Sequence, residues 1–190
     1  MRFINNKASK NDLSFSHVGI FVKNIELMTK FYKEALQLFV TDRGTVATSN
    51  DIVFLSQNPE EHHQLALVSG RPDDATFSVI NQISLRVQDL STLRRYYNCL
   101  LSAGAERMDP STHGNSVSVY SFDPEGNRIE VFMDTQWYCD QPLKASIDFN
   151  QSDEEIMNQV NAIAQAAPKF MPRSEWVQQM HTLMNSTNDK

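Results

Sequence analysis

Residues 16–36 read SHVGIFVKNIELMTKFYKEAL, and residues 81–101 repeat the same pattern as NQISLRVQDLSTLRRYYNCLL. At a constant offset of 65 residues, apolar positions in the two copies coincide: Val18 with Ile83, Ile20 with Leu85, Val22 with Val87, and Tyr32 with Tyr97. An internal repeat of this kind indicates two copies of one supersecondary unit.

Each copy predicts a strand followed by a helix. The strand has alternating apolar residues, which is the period-2 pattern of a half-buried strand. A residue suited to capping a helix comes next, Asn24 in the first copy and Asp89 in the second. Apolar residues then recur at helical spacing, at Ile25, Met28 and Phe31 and again at Leu90, Leu93 and Tyr96.

Short strand-like runs follow each predicted helix. They are Leu38–Asp42, Val53–Ser56 and Gln64–Val68 in the first half, and Ser116–Phe122 and Arg128–Met133 in the second, with a weaker run near Glu106–Met108. Pairing two such units buries the apolar sheet face of both. We therefore predict an α+β domain over residues 13–137, with paired βαβββ modules at 13–70 and 78–137. The modules are expected to form a curved, barrel-like mixed sheet around a central cavity.

A C-terminal helical extension is predicted over residues 138–190. Ser152 and Glu155 have the spacing of a capping box, which begins a helix that runs to about Ala166. A last helix is expected to begin near Ser174, and Asn185–Lys190 are expected to be disordered. The helices pack either on the sheet or on a partner chain, and a flexible tail is the alternative.

Composition and charge limit the classes of function. The formal net charge is −6, the pI is about 5.3 and no basic run is present, so nucleic acid and anionic membranes are poor partners. No stretch approaches the roughly 20 apolar residues of a spanning helix, and Met1–Lys7 turns polar too early for a signal peptide. The two cysteines are too few for a disulfide framework. We expect a cytoplasmic protein.

Residues capable of chemistry fall at positions that the repeat makes equivalent. The 65-residue offset pairs His17 with Gln82, and the aligned last strands pair Ala66 with Glu130. A carboxylate within an apolar strand must be exposed, paired or bound to a metal. Taken singly, Glu130 is better explained by an outward-facing position and His17 by a hydrogen-bonded core position. Their equivalent positions favour a common site in the predicted cavity.

The runs SHVGIFVKN, EHHQLALV and VSVYSFDPEGNRIEVF together resemble the vicinal oxygen chelate superfamily, over roughly residues 13–137. That superfamily includes glyoxalase I, bleomycin and fosfomycin resistance proteins, and type I extradiol dioxygenases, which cleave catechol rings with O₂. Its fold consists of paired βαβββ modules around a metal. Among its members, this sequence is most similar to the extradiol enzymes.

The resemblance implies that His17, Gln82 and Glu130 are metal ligands, where the extradiol family has two histidines and a glutamate. Fe(II) is the expected metal, because this facial arrangement leaves positions for the diol and O₂. The neutral amide of Gln82 is a weaker ligand than imidazole, which shifts the preference toward Mn(II), Zn(II) or Ni(II). Ala66 lacks the carboxylate that a four-ligand glyoxalase I site requires.

Three further residues match catalytic positions of the extradiol family. The resemblance assigns His63, the second histidine of the His62–His63 pair, as the acid–base group, while strand parity with Ala66 favours His62. Tyr120, ten residues before Glu130, and His113, seven before Tyr120, match groups that contact substrate oxygen.

The predicted function is a metal-dependent, extradiol-type dioxygenase that acts on a small catechol-like aromatic diol and O₂, and the resemblance implies a homodimer. The alternatives are a non-oxidative metal-dependent lyase or isomerase of the glyoxalase type, and a binding protein of the bleomycin-resistance type without catalysis. A protein-binding module with a vestigial cavity is a fourth interpretation.

Overall fold

The computed structural model describes residues 13–47 and 49–186. These residues form four helices and eleven strands. The segment Met1–Lys7, on which the prediction about a signal peptide depends, lies outside the described residues. Within the described ranges, none of the helices has the length and apolar character needed to cross a membrane.

The first module has the element order β1 (Val18–Val22), α1 (Ile25–Ala35), β2 (Phe39–Thr45), β3 (Asp51–Ser56) and β4 (Leu65–Ser69). Its sheet has the strand order β1-β4-β3-β2, in which β1 and β4 are parallel and the other neighbours are antiparallel. The Asn24 side chain accepts a hydrogen bond from the Leu27 backbone N–H at 3.0 Å, as predicted for a helix cap.

The second module repeats this order with β5 (Ile83–Val87), α2 (Leu90–Ser102), β6 (Glu106–Thr112), β7 (Ser116–Phe122) and β8 (Arg128–Asp134). Here β5 and β8 are parallel, and the remaining pairs are antiparallel. The predicted α+β class is thereby confirmed, and two βαβββ modules are present. Each sheet is open and mixed rather than closed.

The chain divides into two compact units whose boundary does not follow the repeat. Of the described residues, unit 1 contains 13–29 together with Leu38–Asp73, and unit 2 contains Lys30–Gln37 together with 74–186. The second half of α1 belongs to unit 2, where the Tyr32 hydroxyl donates to a carboxylate oxygen of Asp123 at 2.9 Å.

The sheet of unit 2 has one apolar face and one polar face. The apolar face packs on α2 and contains side chains that are at most 1% exposed, namely Val117, Val119, Ile129 and Val131. Because side chains alternate along a strand, the residues between these four lie on the opposite face. That face carries Ser118 and Tyr120 of β7 and Arg128 and Glu130 of β8.

The C-terminal part of the chain belongs to unit 2 and contains two helices. Strands β9 (Trp137–Tyr138) and β11 (Met171–Pro172) pair with each other, and β10 (Ala145–Ser146) extends the sheet beside β6. Helix α3 (Asp153–Ala166) begins with the predicted capping box of Ser152 and Glu155. Helix α4 (Arg173–Ser186) includes Asn185, so disorder from Asn185 onwards was wrong for the first two residues, and residues 187–190 lie outside the described ranges.

Candidate functional site

Glu130 is a buried carboxylate on the polar face of the sheet of unit 2. Its side chain is only 7% exposed. Oε2 accepts hydrogen bonds from Gln82 Nε2 at 2.8 Å and Ser84 Oγ at 2.6 Å, and Oε1 accepts one from Ser118 Oγ at 2.8 Å. These hydrogen bonds make it possible to bury the charge, because an unpaired carboxylate in this position would be costly.

The partners of Glu130 are neutral. Within residues 13–47 and 49–186, no lysine or arginine forms an ion pair with it. A buried carboxylate whose negative charge is met only by dipoles favours a cation, and a divalent metal with oxygen ligands is a suitable one. Gln82 donates to Glu130 through Nε2, and its amide oxygen is a further neutral oxygen donor. Carboxylate and amide oxygens are donors of the kind that a divalent metal takes.

Ser84 and Ser118 are site residues that the sequence reasoning missed. Ser84 lies directly opposite Glu130 in the pairing of β5 with β8, and Ser118 lies on the neighbouring strand β7. Each faces the same side of the sheet as a predicted site residue, because Ser84 is two residues after Gln82 and Ser118 is two residues before Tyr120. A search for hydroxyl groups at that parity would have found them.

Tyr120 connects Glu130 to His113. Its hydroxyl lies 2.8 Å from His113 Nε2, and the Tyr120 backbone pairs directly with Glu130. Burial, followed by the hydrogen bond to Glu130 and the negative charge of that residue, raises the pKa of the Tyr120 hydroxyl well above its usual range. The hydroxyl therefore stays protonated and acts as a donor.

The hydrogen bonds of His113 set its tautomer. Its Nδ1 lies 2.6 Å from the Leu143 carbonyl oxygen, which only accepts, so Nδ1 carries a proton. Nε2, which carries none in the neutral ring, accepts from the Tyr120 hydroxyl at 2.8 Å. Leu143, His113 and Tyr120 thus form one chain of hydrogen bonds beside Glu130.

Gly114 fixes the loop that carries His113. Its φ of 75° lies in the left-handed region, and a Cβ atom there would come within 2.5 Å of Cys139 Sγ. The Gly114 carbonyl accepts a hydrogen bond from Thr135 Oγ1 at 2.7 Å. Only glycine avoids both the backbone strain and this close approach, so the loop position depends on it.

Unit 1 contains the other predicted site residues, His17 and His63, in contact with each other. Their ring centroids are 4.1 Å apart, and the His63 ring also lies 4.7 Å from that of Phe54. Burial lowers the pKa of His63, and the neighbouring His17 and His62 lower it further, against an opposing effect of Glu61. His63 is therefore held in the neutral form that a general base requires.

His62 does not share the contacts of His63 with His17. Its Nε2 lies 3.8 Å from Asp42, and its Nδ1 lies 2.9 Å from His63 Nδ1. The strand-parity argument for His62 does not apply, because β4 begins only at Leu65 and both histidines lie in the segment before it. Contact with His17 is made by His63.

The predicted ligands fall in both units. Gln82 and Glu130 are joined by a hydrogen bond in unit 2, and His17 belongs to unit 1. Within the described part of the chain, no group of three or more His, Cys, Asp and Glu side chains is arranged to hold a metal. Of the predicted ligands in unit 2, Glu130 is the one residue of those types, and the Gln82 amide lies beside it.

Two curated proteins are similar to this chain. Biphenyl-2,3-diol 1,2-dioxygenase 2 of Rhodococcus globerulus is 28% identical over 124 residues, which are 63% of this chain and 62% of that protein. Biphenyl-2,3-diol 1,2-dioxygenase 3 of the same organism is 26% identical over 171 residues, which are 84% of this chain and 85% of that protein. The match thus spans less than two thirds of the first relative.

Solved structures share the fold. A glyoxylase/bleomycin resistance protein/dioxygenase domain from Frankia sp. EAN1pec matches with a TM-score of 0.56 and 20% identity, covering 65% of this chain and 93% of that one. The fosfomycin resistance protein FosX from Listeria monocytogenes, solved with Mn(II) and sulfate ion, matches with a TM-score of 0.51 and 18% identity, covering 64% and 93%. The family model for the glyoxalase/bleomycin resistance protein/dioxygenase superfamily matches residues 14–131. With its repeated βαβββ modules, this chain belongs to that superfamily.

Proposed function

We propose that the protein is a metal-dependent, extradiol-type dioxygenase that cleaves a catechol-like aromatic diol. The observation that carries the proposal is Glu130, a buried carboxylate with neutral donors only, linked through Tyr120 to His113. The similarity to two biphenyl-2,3-diol dioxygenases supports the substrate class. His17, Gln82 and Glu130 are the proposed metal ligands, and Fe(II) is the proposed metal, with Mn(II), Zn(II) or Ni(II) as alternatives.

The bound metal would supply Lewis acidity that lowers the pKa of the diol hydroxyls, and a position for O₂. The remaining steps belong to this chain's own residues. Gln82, Ser84 and Ser118 hold the Glu130 carboxylate in one orientation. Neutral His63 accepts a substrate proton at Nε2, because its Nδ1 is engaged by His62.

Tyr120 and His113 are proposed to orient the substrate and to return a proton. The Tyr120 hydroxyl remains a donor because its pKa is raised, and His113 Nε2 exchanges a proton with it across 2.8 Å. The Leu143 carbonyl accepts from Nδ1 and holds the His113 ring with Nε2 toward Tyr120. The line from His113 to Tyr120 can therefore supply a proton when the ring opens.

Oxygen uptake by the full-length protein tests this proposal. The protein is loaded anaerobically with Fe(II) or Mn(II), and uptake and product absorbance are followed with a panel of substituted catechols. We expect uptake that depends on metal and falls at least about 100-fold in Glu130→Gln, with bound metal also reduced. Glu34→Gln, an exposed glutamate on α1, is the matched control and should leave uptake unchanged.

A non-oxidative, glyoxalase-type lyase or isomerase is the second candidate, and Gln82 is the residue that favours it. A neutral amide oxygen suits Mn(II) better than it suits Fe(II), and the absence of a second imidazole weakens Fe(II) binding. Stoichiometric bound metal without oxygen uptake on any diol would favour this candidate. Absence of bound metal would favour a binding protein of the bleomycin-resistance type. Homodimerisation stays a prediction, which sedimentation equilibrium can test.

A further inference from the structure

Unit 2 contains a cavity beside the Glu130 network. Its volume is about 560 Å³, and its walls come from residues 76–81 and from strands β6, β7 and β8. The side chains that matter here are Phe77, Arg107, Asp109, Tyr120, Phe122 and Arg128. It combines aromatic rings with two guanidinium groups, a composition suited to a planar, charged ligand.

The cavity opens on the same sheet face as Glu130. Tyr120 pairs with Glu130, and Phe122 pairs with Arg128, in the register of β7 with β8. Because alternate residues share a face, Arg128 and Glu130 point to the same side, with Tyr120 beside them. A ligand in the cavity therefore touches Tyr120, whose hydroxyl belongs to the Glu130 network.

The two guanidinium groups are held by rings rather than by carboxylates. Arg128 lies 4.1 Å from the centroid of the Tyr120 ring, and Arg107 lies 5.5 Å from that of Phe122. Among residues 13–47 and 49–186, neither arginine takes part in an ion pair. Stacking leaves the N–H edge of each guanidinium available to an anion.

The carboxylate that lines the cavity already has a cationic partner. Asp109 accepts hydrogen bonds from Lys144 Nζ and from Ser111 Oγ. Burial raises the pKa of Asp109, but these hydrogen bonds and the charges of Lys144 and Arg128 outweigh it and lower the pKa overall. Asp109 is thus ionised, and Lys144 balances its negative charge. Arg107 and Arg128 therefore leave the cavity with a net positive charge beside Phe122 and Tyr120.

The backbone at Arg107 provides an independent indication of a binding role. Its φ is 52°, and the pairing of β6 with β7 shifts register between Glu106 and Asp109. A non-glycine residue in this left-handed region costs on the order of 1 kcal/mol or more, and such strain collects at ligand-binding positions. The bulge turns the Arg107 side chain onto Phe122, at the cavity wall.

We propose that this cavity binds the carboxylate of an aromatic acid, with Arg107 and Arg128 contacting the anion and Phe122 and Tyr120 lying against the ring. The inference rests on the proposed function in one respect: the acid is taken to be the diol substrate, so the preferred substrate is a carboxylated catechol. Phe77, 74% exposed at the rim, is placed to cover the ring.

Binding to the metal-free, full-length protein tests the cavity without any turnover. The probes are 4-fluorobenzoate and its neutral counterpart 4-fluorobenzamide, and dissociation constants are obtained from ¹⁹F NMR titrations. We expect the acid to bind at least about 10-fold more tightly than the amide, which corresponds to one charge-assisted hydrogen bond. Arg107→Gln and Arg128→Gln should each remove most of that preference.

Arg86→Gln is the matched control. Arg86 also stacks on a ring of this sheet, 5.2 Å from the Phe132 centroid, but it is ion-paired with Asp134 at 3.1 Å and does not line the cavity. It should leave the preference unchanged. Equal binding of acid and amide to the wild type, or a preference that survives in both cavity variants, would overturn the proposal.

Oxygen uptake with catechol and with a carboxylated catechol separates the two proposals. If the acid preference is present in NMR but no diol supports uptake, the cavity stands and the dioxygenase function fails. If both diols support uptake with equal kcat/KM, and Arg128→Gln changes neither, the function stands and the cavity proposal fails. A kcat/KM advantage of about 10-fold for the carboxylated diol, lost in Arg128→Gln, supports both.

Discussion

Replacing Tyr32 with phenylalanine should destabilise the protein through a single lost hydrogen bond. The Tyr32 hydroxyl donates to Asp123 Oδ2 at 2.9 Å, and the two side chains are 0% and 2% exposed. Phenylalanine keeps the ring and its packing. A hydrogen bond to a charged group contributes about 1.5–3 kcal/mol, which sets the expected loss in unfolding free energy. For a chain of this size, the midpoint of thermal unfolding should fall by about 3–12 °C.

The loss of unfolding free energy in Tyr32→Phe should depend on pH, and the burial of Asp123 determines its direction. Burial raises the pKa of Asp123 in the folded state, whereas the Tyr32 hydrogen bond lowers it. A carboxyl with a raised folded pKa stabilises the fold at low pH and loses that contribution as pH rises through the folded pKa. Losing the Tyr32 hydroxyl raises the folded pKa further. The difference between variant and wild type should therefore grow as pH rises from about 4, the ordinary pKa of an aspartate, into the neutral range.

Urea denaturation across that pH range measures both effects, and the repeat supplies the control. Tyr97 is the repeat equivalent of Tyr32, but its ring packs on Phe149, and its hydroxyl makes no hydrogen bond to any residue in 13–47 or 49–186. Tyr97→Phe should change the unfolding free energy by less than about 0.5 kcal/mol. A Tyr32→Phe cost as small as this, or one that shrinks as pH rises, would refute the reasoning.

The remaining predictions concern the site and the C-terminal extension. His63→Ala should leave metal content unchanged but lower kcat by about 100-fold, as expected for the loss of an acid–base group; unchanged turnover would exclude that role. Gln82→His should raise Fe(II) affinity about 10-fold or more in competition with a chelator, since imidazole is the stronger ligand; equal affinity would remove Gln82 from the ligand set. Tyr120→Phe should lower kcat more than it changes KM, and an effect on KM alone would limit Tyr120 to substrate binding. Ser152→Ala removes the cap of α3 and should cost about 1 kcal/mol in urea denaturation, with loss of helical circular dichroism; no change would show that α3 is held by packing alone.

The fold could be predicted because its strands and helices carry regular patterns. Period-2 alternation located β1 and β5, and the capping residues Asn24 and Asp89 located the helix starts. Strand β6 was predicted only as a weak run near Glu106–Met108, although it extends to Thr112. Asp109, Pro110 and Ser111 are poor strand formers, and pairing with β7 and β10 keeps them extended regardless.

The candidate site was predictable only in part. The repeat pointed to Glu130, whose burial and hydrogen bonds the structure describes, but the hydroxyl donors Ser84 and Ser118 have no motif of their own. The cavity at Arg107 was missed because a left-handed backbone at an arginine is set by the bulge in β6 and leaves no mark on the local sequence. The proposed roles of His17, Gln82 and His63 stay predictions until metal content and turnover are measured.

The described part of unit 2 contains two buried carboxylates with neutral donors, Asp123 and Glu130, and their donors differ. Asp123 Oδ1 accepts from the backbone N–H groups of Glu125 and Asn127, which the turn holds rigidly, while Oδ2 accepts from the Tyr32 hydroxyl and the Asn127 side-chain amide. Oδ1 is therefore committed to the fold. Glu130 accepts from hydroxyl groups and an amide, all of which can rotate. A ligand or metal at Glu130 therefore displaces side-chain hydrogen bonds without breaking the backbone. For Asp123 the same exchange would open the turn before β8. Substitution of Glu130 should accordingly impair ligand and metal binding more than stability, and substitution of Asp123 should do the reverse.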